Sequence, residues 1–177
     1  MRAFVAIELP SELKEKIYAF SQKITKRLQV KQVEEENLHL TLVFLGEISE
    51  KELDMVKNIL SKIKVGEIKL KLQELQVIPS KTKPLIIWIK VGGQTGKLFS
   101  LYKQTVDNLL NQGFILKKDN LDFRPHITIA RVKGGGVSSL EDEHLEGSFI
   151  ADKVAMFESK LTPEGSIYSK IGEFEIK

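Results

Sequence analysis

The apolar positions of this chain follow the period of a strand in some segments and the period of a helix in others. The opening run from Arg2 to Ile7 is short and apolar, which predicts a first strand. Ser11 stands where it can cap a helix. The almost continuous apolar run from Leu38 to Leu45, ended by Gly46, predicts a buried strand. The apolar residues between these strands recur at helical spacing: Leu13, Ile17, Phe20 and Ile24.

The middle of the chain carries stronger local signals. The four residues from Ser49 to Glu52 match a capping box, and apolar residues at helical spacing follow them. From Ile68 onward, apolar and polar residues alternate, but after Leu72 the alternation shifts by one residue. A β-bulge near Glu74 would produce this shift. We therefore expect a second helix followed by a bulged strand.

The second half of the chain repeats the order of the first. A strand from Leu85 to Val91 precedes a helix that Gly113 is placed to end, and a strand containing His126 follows. Each half thus runs strand, helix, strand, which suggests a duplicated unit. The segments Ser148 to Ser159 and Ile167 to Ile176 predict a terminal hairpin.

Composition narrows the function classes. A chain of 177 residues suits one domain, or two small lobes that share a core. It has no cysteine, which excludes disulfides, thiolate zinc sites and a cysteine nucleophile, and it fits a reducing compartment, so we expect a cytoplasmic protein. The N-terminal apolar run is too short for a signal peptide or a membrane span. The net charge of +3 is too small to argue for nucleic acid by itself.

The candidate chemistry lies in a motif that occurs twice, His39-Leu40-Thr41-Leu42 and His126-Ile127-Thr128-Ile129. Side chains at i and i+2 of a strand point to the same face, so each motif places an imidazole beside a hydroxyl. If the two strands lie side by side, two imidazoles and two hydroxyls converge.

Four interpretations of the repeated motif compete. A single histidine on an apolar strand is commonly a hydrogen-bonded core residue, but a repeat of the same pair is a poor route to stability. Two histidines without a carboxylate at ligand spacing leave a metal site short of ligands, so we expect no metal and no cofactor. A threonine nucleophile needs a direct bond to histidine, which a spacing of roughly 7 Å along a straight strand does not assure. Paired general acid and base catalysis fits best, because imidazole titrates near neutral pH.

Longer motifs around the two histidines point to a family. The run from Phe123 to Arg131, the opening from Arg2 to Ile7 and the segment from Phe157 to Gly165 resemble the RNA 2′,3′-cyclic phosphodiesterases, also called 2′-5′ RNA ligases, of the 2H phosphoesterase superfamily. The resemblance implies an α+β fold with two lobes, whose antiparallel sheets line a central cleft and whose helices lie outside. We expect a single domain over residues 1–177, with lobes built roughly from residues 1–84 and 85–177.

The resemblance also implies a reaction, the hydrolysis of RNA-terminal 2′,3′-cyclic phosphate to a 2′-phosphate. His39 would be the proton donor and His126 the proton acceptor, while Thr41 and Thr128 would hold the phosphate. Arg131 matches the family motif as the phosphate contact, although simple alternation puts it on the face opposite His126 unless the strand twists, bulges or ends near Ala130. Arg124 has the right parity and remains the alternative.

Several functional alternatives stay open. With a 5′-hydroxyl in place of water, the same chemistry would form a 2′-5′ RNA linkage without ATP. The substrate could instead be a small cyclic nucleotide or ADP-ribose cyclic phosphate. A member of another class, a non-catalytic RNA-binding module, would stack bases on Phe123, Trp88 or Tyr102, although ordinary core positions are the simpler interpretation of Trp88 and Tyr102. We expect a monomer that acts on RNA ends or nucleotides and does not bind membranes.

Overall fold

A computed structural model describes residues 1–137, 140 and 142–177 of the chain. Within these ranges, strands and helices follow the order β1 (Arg2–Glu8), α1 (Ser11–Thr25), β2 (Gln29–Gln32), β3 (His39–Glu47), α2 (Glu50–Lys62), β4 (Ile68–Pro79), β5 (Pro84–Gly93), α3 (Thr95–Asn111), β6 (His126–Gly134), β7 (Ser148–Ala151), β8 (Lys153–Thr162) and β9 (Gly165–Glu175). Short 3₁₀ turns at Glu35–Asn37 and Lys118–Leu121 precede β3 and β6, respectively. No helix in the described ranges is both long and apolar enough to cross a membrane.

The strands form two antiparallel sheets. One has the order β3-β1-β8-β9 and the other the order β2-β6-β5-β4-β7. Every strand pairing between described residues is antiparallel, although helices occur between the strands, and this confirms the predicted α+β class. Each sheet takes strands from both halves of the chain, so the two sheets do not correspond to residues 1–84 and 85–177. β2 and β4, from the first half of the chain, join the sheet that contains β5 and β6. β8 and β9, from the second half, join the sheet that contains β1 and β3.

The duplicated order of elements is present. β1 pairs with β3 and β5 pairs with β6, and each pair is connected through a helix, α1 in the first case and α3 in the second. Each helix buries one apolar face, for example Ile17 on α1 and Leu101 on α3. Burying these faces against the sheets is the main source of stability for such amphipathic elements.

Three local predictions are confirmed. Ser49 and Glu52 form both hydrogen bonds of the capping box at the start of α2. The β4–β5 register shifts by one residue between Leu72 and Leu75, where the bulge was expected. Gly113, with a positive φ of 89°, follows the end of α3, a conformation that glycine adopts without strain.

Two local predictions are wrong. Ser11 is the first residue of α1 and does not cap it: the N-cap is Pro10, whose carbonyl accepts a hydrogen bond from the backbone N–H of Lys14. The predicted terminal hairpin is present as β8 and β9, but the extent of its first arm is wrong. The segment from Ser148 to Ser159 is two strands, because the chain leaves one sheet as β7 and enters the other as β8 around Asp152. Alternation alone cannot reveal such a switch, since both strands have one buried face.

Candidate active site

The first motif begins β3, directly after the 3₁₀ turn. The Nδ1–H of His39 donates to the carbonyl of Asn37 at 2.6 Å, which leaves Nε2 without a proton in the neutral ring. The Thr41 hydroxyl then donates to Nε2 at 2.7 Å. The direct hydrogen bond that strand spacing alone does not assure is therefore present in this motif, because the side chains lean toward each other.

Aromatic rings surround His39. Its ring centroid lies 5.0 Å from that of Phe4, with the planes tilted by 34°, and Tyr168 meets it edge-on at 5.4 Å. Burial lowers the pKa of His39 below its ordinary value of 6.5, and the charges of His126 and Lys14 lower it further. The hydrogen bond to the Asn37 carbonyl opposes these effects. The ring is held in place and favours its neutral form.

The second motif repeats the backbone contact of the first. The Nδ1–H of His126 donates to the carbonyl of Arg124 at 2.5 Å, so its Nε2 is the proton-accepting atom of the neutral ring. The imidazole stacks on the indole of Trp88, with centroids 3.8 Å apart and planes 25° from parallel. Burial lowers the pKa of His126 below 6.5, the Arg124 carbonyl raises it, and the Arg124 charge lowers it.

The two motif strands approach each other although they belong to different sheets. β3 is the outermost strand of one sheet, and its residues contact β6 of the other. The charge of His126 is one of the causes that lower the pKa of His39. The predicted convergence of the two histidine strands is therefore present in the fold.

A β-bulge occurs at the same place in both motifs. In β3, Thr41 and Val43 pair with consecutive residues of β1, so Leu42 has no partner. In β6, Thr128 and Ala130 pair with consecutive residues of β5, so Ile129 has none. Each bulge lies three residues after the histidine and reverses the faces of the residues beyond it.

The bulge at Ile129 removes the objection to Arg131. Arg131 pairs with Ile86, and Thr128 pairs with Trp88. Since Ile86 and Trp88 are two residues apart on β5, Arg131 points to the same face as Thr128 and His126. Arg131 is exposed, and among the described residues no carboxylate forms an ion pair with it.

Arg124 lies in a different environment. Its guanidinium is 5.3 Å from the centroid of the Trp88 ring, and its Nε is 3.7 Å from a carboxylate oxygen of Asp122. It can still approach a ligand near His126, but it would do so with an anion already beside it. Of the two predicted anion contacts, Arg131 is the cation without such a competitor in the described part of the chain.

The surroundings of the two motifs are not symmetric. Phe44 holds the position in β3 that Arg131 holds in β6, and its side chain is 57% exposed. One side of the site therefore presents an apolar ring where the other presents a cation. A ligand that binds between the strands meets two different walls, which allows the two histidines to have different roles.

Trp88 is the site residue whose role was not predicted. The sequence interpretation placed it in the ordinary core, and it is only 6% exposed, yet its ring covers His126. Tyr102 and Phe123 stack on each other, with centroids 4.4 Å apart. The available signal for Trp88 was an aromatic residue on the strand next to the second motif. Within the described residues, no three histidine or carboxylate side chains are grouped so that they could share a metal ion.

Comparison with known proteins gives one consistent family. Residues 7–88 match the family model described as "LigT like Phosphoesterase". The chain is 34% identical to an RNA 2′,3′-cyclic phosphodiesterase of Methanocaldococcus jannaschii, over 98% of this chain and 100% of that one. It is 33% identical to a protein of the same name from Archaeoglobus fulgidus, over 99% of this chain and 100% of that one. The fold matches E. coli LigT in complex with 3′-AMP with a TM-score of 0.84 and 21% identity, over 99% and 97% of the two chains.

Proposed function

The chain belongs to the LigT-like phosphoesterase family of RNA 2′,3′-cyclic phosphodiesterases, and we propose that it opens RNA-terminal 2′,3′-cyclic phosphates through proton transfer by His39 and His126. The product is a 2′-phosphomonoester. The observation that carries this proposal is the repeated geometry of the motifs: each histidine donates Nδ1–H to a backbone carbonyl two residues earlier. In each neutral ring Nε2 is therefore the proton-accepting atom, and at His39 the Thr41 hydroxyl donates to it in the free protein.

The bond changes balance with two histidines. His126 Nε2 takes a proton from water as the water oxygen bonds to phosphorus. The bond from phosphorus to the 3′ oxygen breaks, and that oxygen takes the proton from Nε2 of protonated His39. Each histidine must exchange its proton with solvent before the next turnover. Because imidazole titrates near neutral pH, both transfers are accessible to histidine.

The negative charge that builds up on phosphorus needs hydrogen-bond donors. We assign this role to the hydroxyls of Thr41 and Thr128 and to the guanidinium of Arg131. In the free protein the Thr41 hydroxyl donates a hydrogen bond to Nε2 of His39, so this hydroxyl must turn toward the phosphate when substrate binds. The position of Arg131 on the face of His126 and Thr128 supports its selection over Arg124.

Three alternatives use the same site differently. A 5′-hydroxyl that replaces water would give a 2′-5′ linkage, and microscopic reversibility exchanges the histidine roles. A small cyclic nucleotide could replace the RNA end. A module that only binds RNA would need no proton transfer, but Tyr102 and Phe123 stack on each other and Trp88 stacks on His126, so their ring faces are partly occupied. One chain supplies both motifs, which is compatible with a monomer.

The test is hydrolysis of an oligonucleotide that ends in a 2′,3′-cyclic phosphate. We expect a 2′-phosphate product, full activity in excess chelator, and a loss of roughly 10²-fold or more in His39→Ala and in His126→Ala. His144→Ala is the matched control, because His144 pairs with Glu146 outside the site. Loss of activity in chelator, or wild-type activity in either site variant, would refute the proposal. The same assay with a cyclic mononucleotide, and with a 5′-hydroxyl acceptor, separates the other catalytic alternatives.

A further inference from the structure

Among the described residues, Trp88 stacks on His126 and makes no ring contact with His39. Its indole lies face to face with His126, with ring centroids 3.8 Å apart. His39 has no such partner in the described residues: the ring of Phe4 is tilted at 5.0 Å, and Tyr168 is edge-on. The two motifs share their backbone contacts, so the stacked indole is a specific difference between them.

The indole is fixed in place from two sides. Its Nε1–H donates to the side-chain oxygen of Gln76 at 2.7 Å, across the β4–β5 pair. On the other neighbouring strand, Trp88 pairs with Thr128, two residues from His126. The ring is 6% exposed, so it has little freedom to leave this position. The stack is therefore a built contact and not a chance approach of two mobile side chains.

The face of an indole carries the negative part of the ring quadrupole, and it attracts a cation more strongly than a neutral ring. An imidazole that stacks on this face is stabilised when it becomes an imidazolium. His126 undergoes this change when it takes a proton. Tryptophan gives the strongest cation–π attraction among the aromatic side chains.

We propose that Trp88 is a positioning residue for His126. Its indole aligns the imidazole and stabilises the imidazolium that forms when His126 takes a proton from the attacking water. This inference rests on the proposed function for its reaction step. The stacking partner itself is independent of that reaction. The roles of ring and base can therefore be tested separately.

Other charges near His126 act in the opposite direction. Arg124 lies over the same indole, and Lys90 stands opposite His126 on β5, where it pairs with Glu74 at 3.7 Å. His39 lies on β3, whose residues contact β6. Burial lowers the pKa of His126, the hydrogen bond to the Arg124 carbonyl raises it, and the Arg124 charge lowers it. The indole face is a second group that opposes the neighbouring cations.

The experiment uses the fact that Trp88 is the one tryptophan of the chain. Growth on fluorinated tryptophans replaces this residue alone, and each added fluorine withdraws electron density from the ring face with little change of shape. We expect kcat/KM to fall stepwise with the number of fluorines, and KM to change little. Trp88→Phe should keep part of the activity and Trp88→Leu should lose ~10-fold or more, in the range of a desolvated cation–π contact.

Direct titration of Trp88 and His126 tests the stabilisation of the imidazolium separately from the proposed phosphodiesterase activity. An imidazolium quenches indole fluorescence, so emission from Trp88 should fall as His126 is protonated, and His126→Gln should abolish that transition. Fluorination should move the transition to lower pH. Activity and titration that do not change across the fluorotryptophan series would overturn the inference. If the wild-type protein lacks cyclic phosphodiesterase activity, the proposed function fails, while the fluorescence still reports whether the stack favours imidazolium. Phe99→Leu, an exposed aromatic change on α3, is the control for general loss of an aromatic ring.

Discussion

The side-chain amide of Asn120 binds both backbone groups of Phe44. Its oxygen accepts from the Phe44 N–H at 2.8 Å, and its nitrogen donates to the Phe44 carbonyl at 2.9 Å. Phe44 lies on the outer edge of the first sheet, whereas Asn120 precedes the second motif strand. One buried amide thus closes an open strand edge and connects the segments that carry His39 and His126.

We expect Asn120→Ala to lower the free energy of unfolding by about 1 to 3 kcal/mol, because it leaves two backbone groups without their partner. It should also lower kcat/KM, since the motif strands lose a common anchor. Urea unfolding with parallel activity assays checks both effects. Asn108→Ala is the matched control: Asn108 donates to a carbonyl on the exposed side of α3, so its removal should have a small effect. Equal effects of the two variants would contradict the role of Asn120.

Arg131 should contribute more to phosphate binding than Arg124. For Arg131→Ala we expect a loss of about 1.5 to 3 kcal/mol, or roughly 10- to 100-fold in kcat/KM, because a charged hydrogen bond to phosphate is removed. Arg131→Lys should recover part of it. Arg124→Ala should cost less, since Asp122 already lies beside that cation. A larger loss for Arg124→Ala would reverse the assignment, and Arg27→Ala is the control for loss of an arginine elsewhere.

Thr41 should be a hydrogen-bond donor and not a nucleophile, even though its hydroxyl reaches His39. Thr41→Ala should retain measurable turnover, with a loss of roughly 10- to 100-fold, and Thr41→Ser should be close to wild type. Mass spectrometry of the protein quenched during turnover should find no RNA joined to threonine through a phosphodiester. Such an adduct on Thr41, together with no turnover in the alanine variant, would contradict this role.

The dependence of kcat/KM on pH should be bell-shaped. kcat/KM reports the free protein, in which one histidine must be neutral and the other protonated. The pKa of each is lowered from 6.5, so the centre of the bell should lie below pH 6.5. The two limbs belong to the pair of coupled histidines, and not to one residue each. A centre above pH 7 would contradict the direction of both shifts.

The same shifts predict how stability depends on pH. Because the folded histidines have lower pKa values than the unfolded ones, the unfolded chain binds more protons between the folded pKa values and pH 6.5. The free energy of unfolding should therefore decrease as pH falls through this window. His39→Gln should flatten that decrease, as measured by urea unfolding at several pH values. An unchanged slope would show that His39 is not desolvated by folding.

The sequence predicted the elements around the site better than their assembly. The capping box of Ser49, the bulge near Glu74 and the two histidine strands have local signals, because hydrophobic period and turn chemistry act within a few residues. The bulge at Ile129 has no such local signal, since apolar residues continue through it. For this reason the sequence does not determine on which face of β6 Arg131 lies. The exchange of strands between sheets, and the contact of Asn120 with Phe44, depend on tertiary packing.

The role of Trp88 in the site also depends on tertiary packing, which local sequence signals do not show. Its burial was predictable from its position in an apolar strand, but its contact with His126 depends on the pairing of β5 with β6. A buried tryptophan satisfies the pattern equally well in a core without function. Pairing register, which the chain specifies only as a whole, determines that this ring is part of the site.

The most direct test of the central claim is rescue by a better leaving group. A cyclic substrate with sulfur in place of the bridging 3′ oxygen needs no general acid, because a thiolate leaves without a proton. His39→Ala should then hydrolyse the sulfur substrate at close to the wild-type rate, while His126→Ala should remain roughly 10²-fold or more slower, as for a lost general base. Rescue of His126→Ala instead would reverse the two roles. Rescue of neither variant, or wild-type activity of either variant on the oxygen substrate, would contradict proton transfer by this pair.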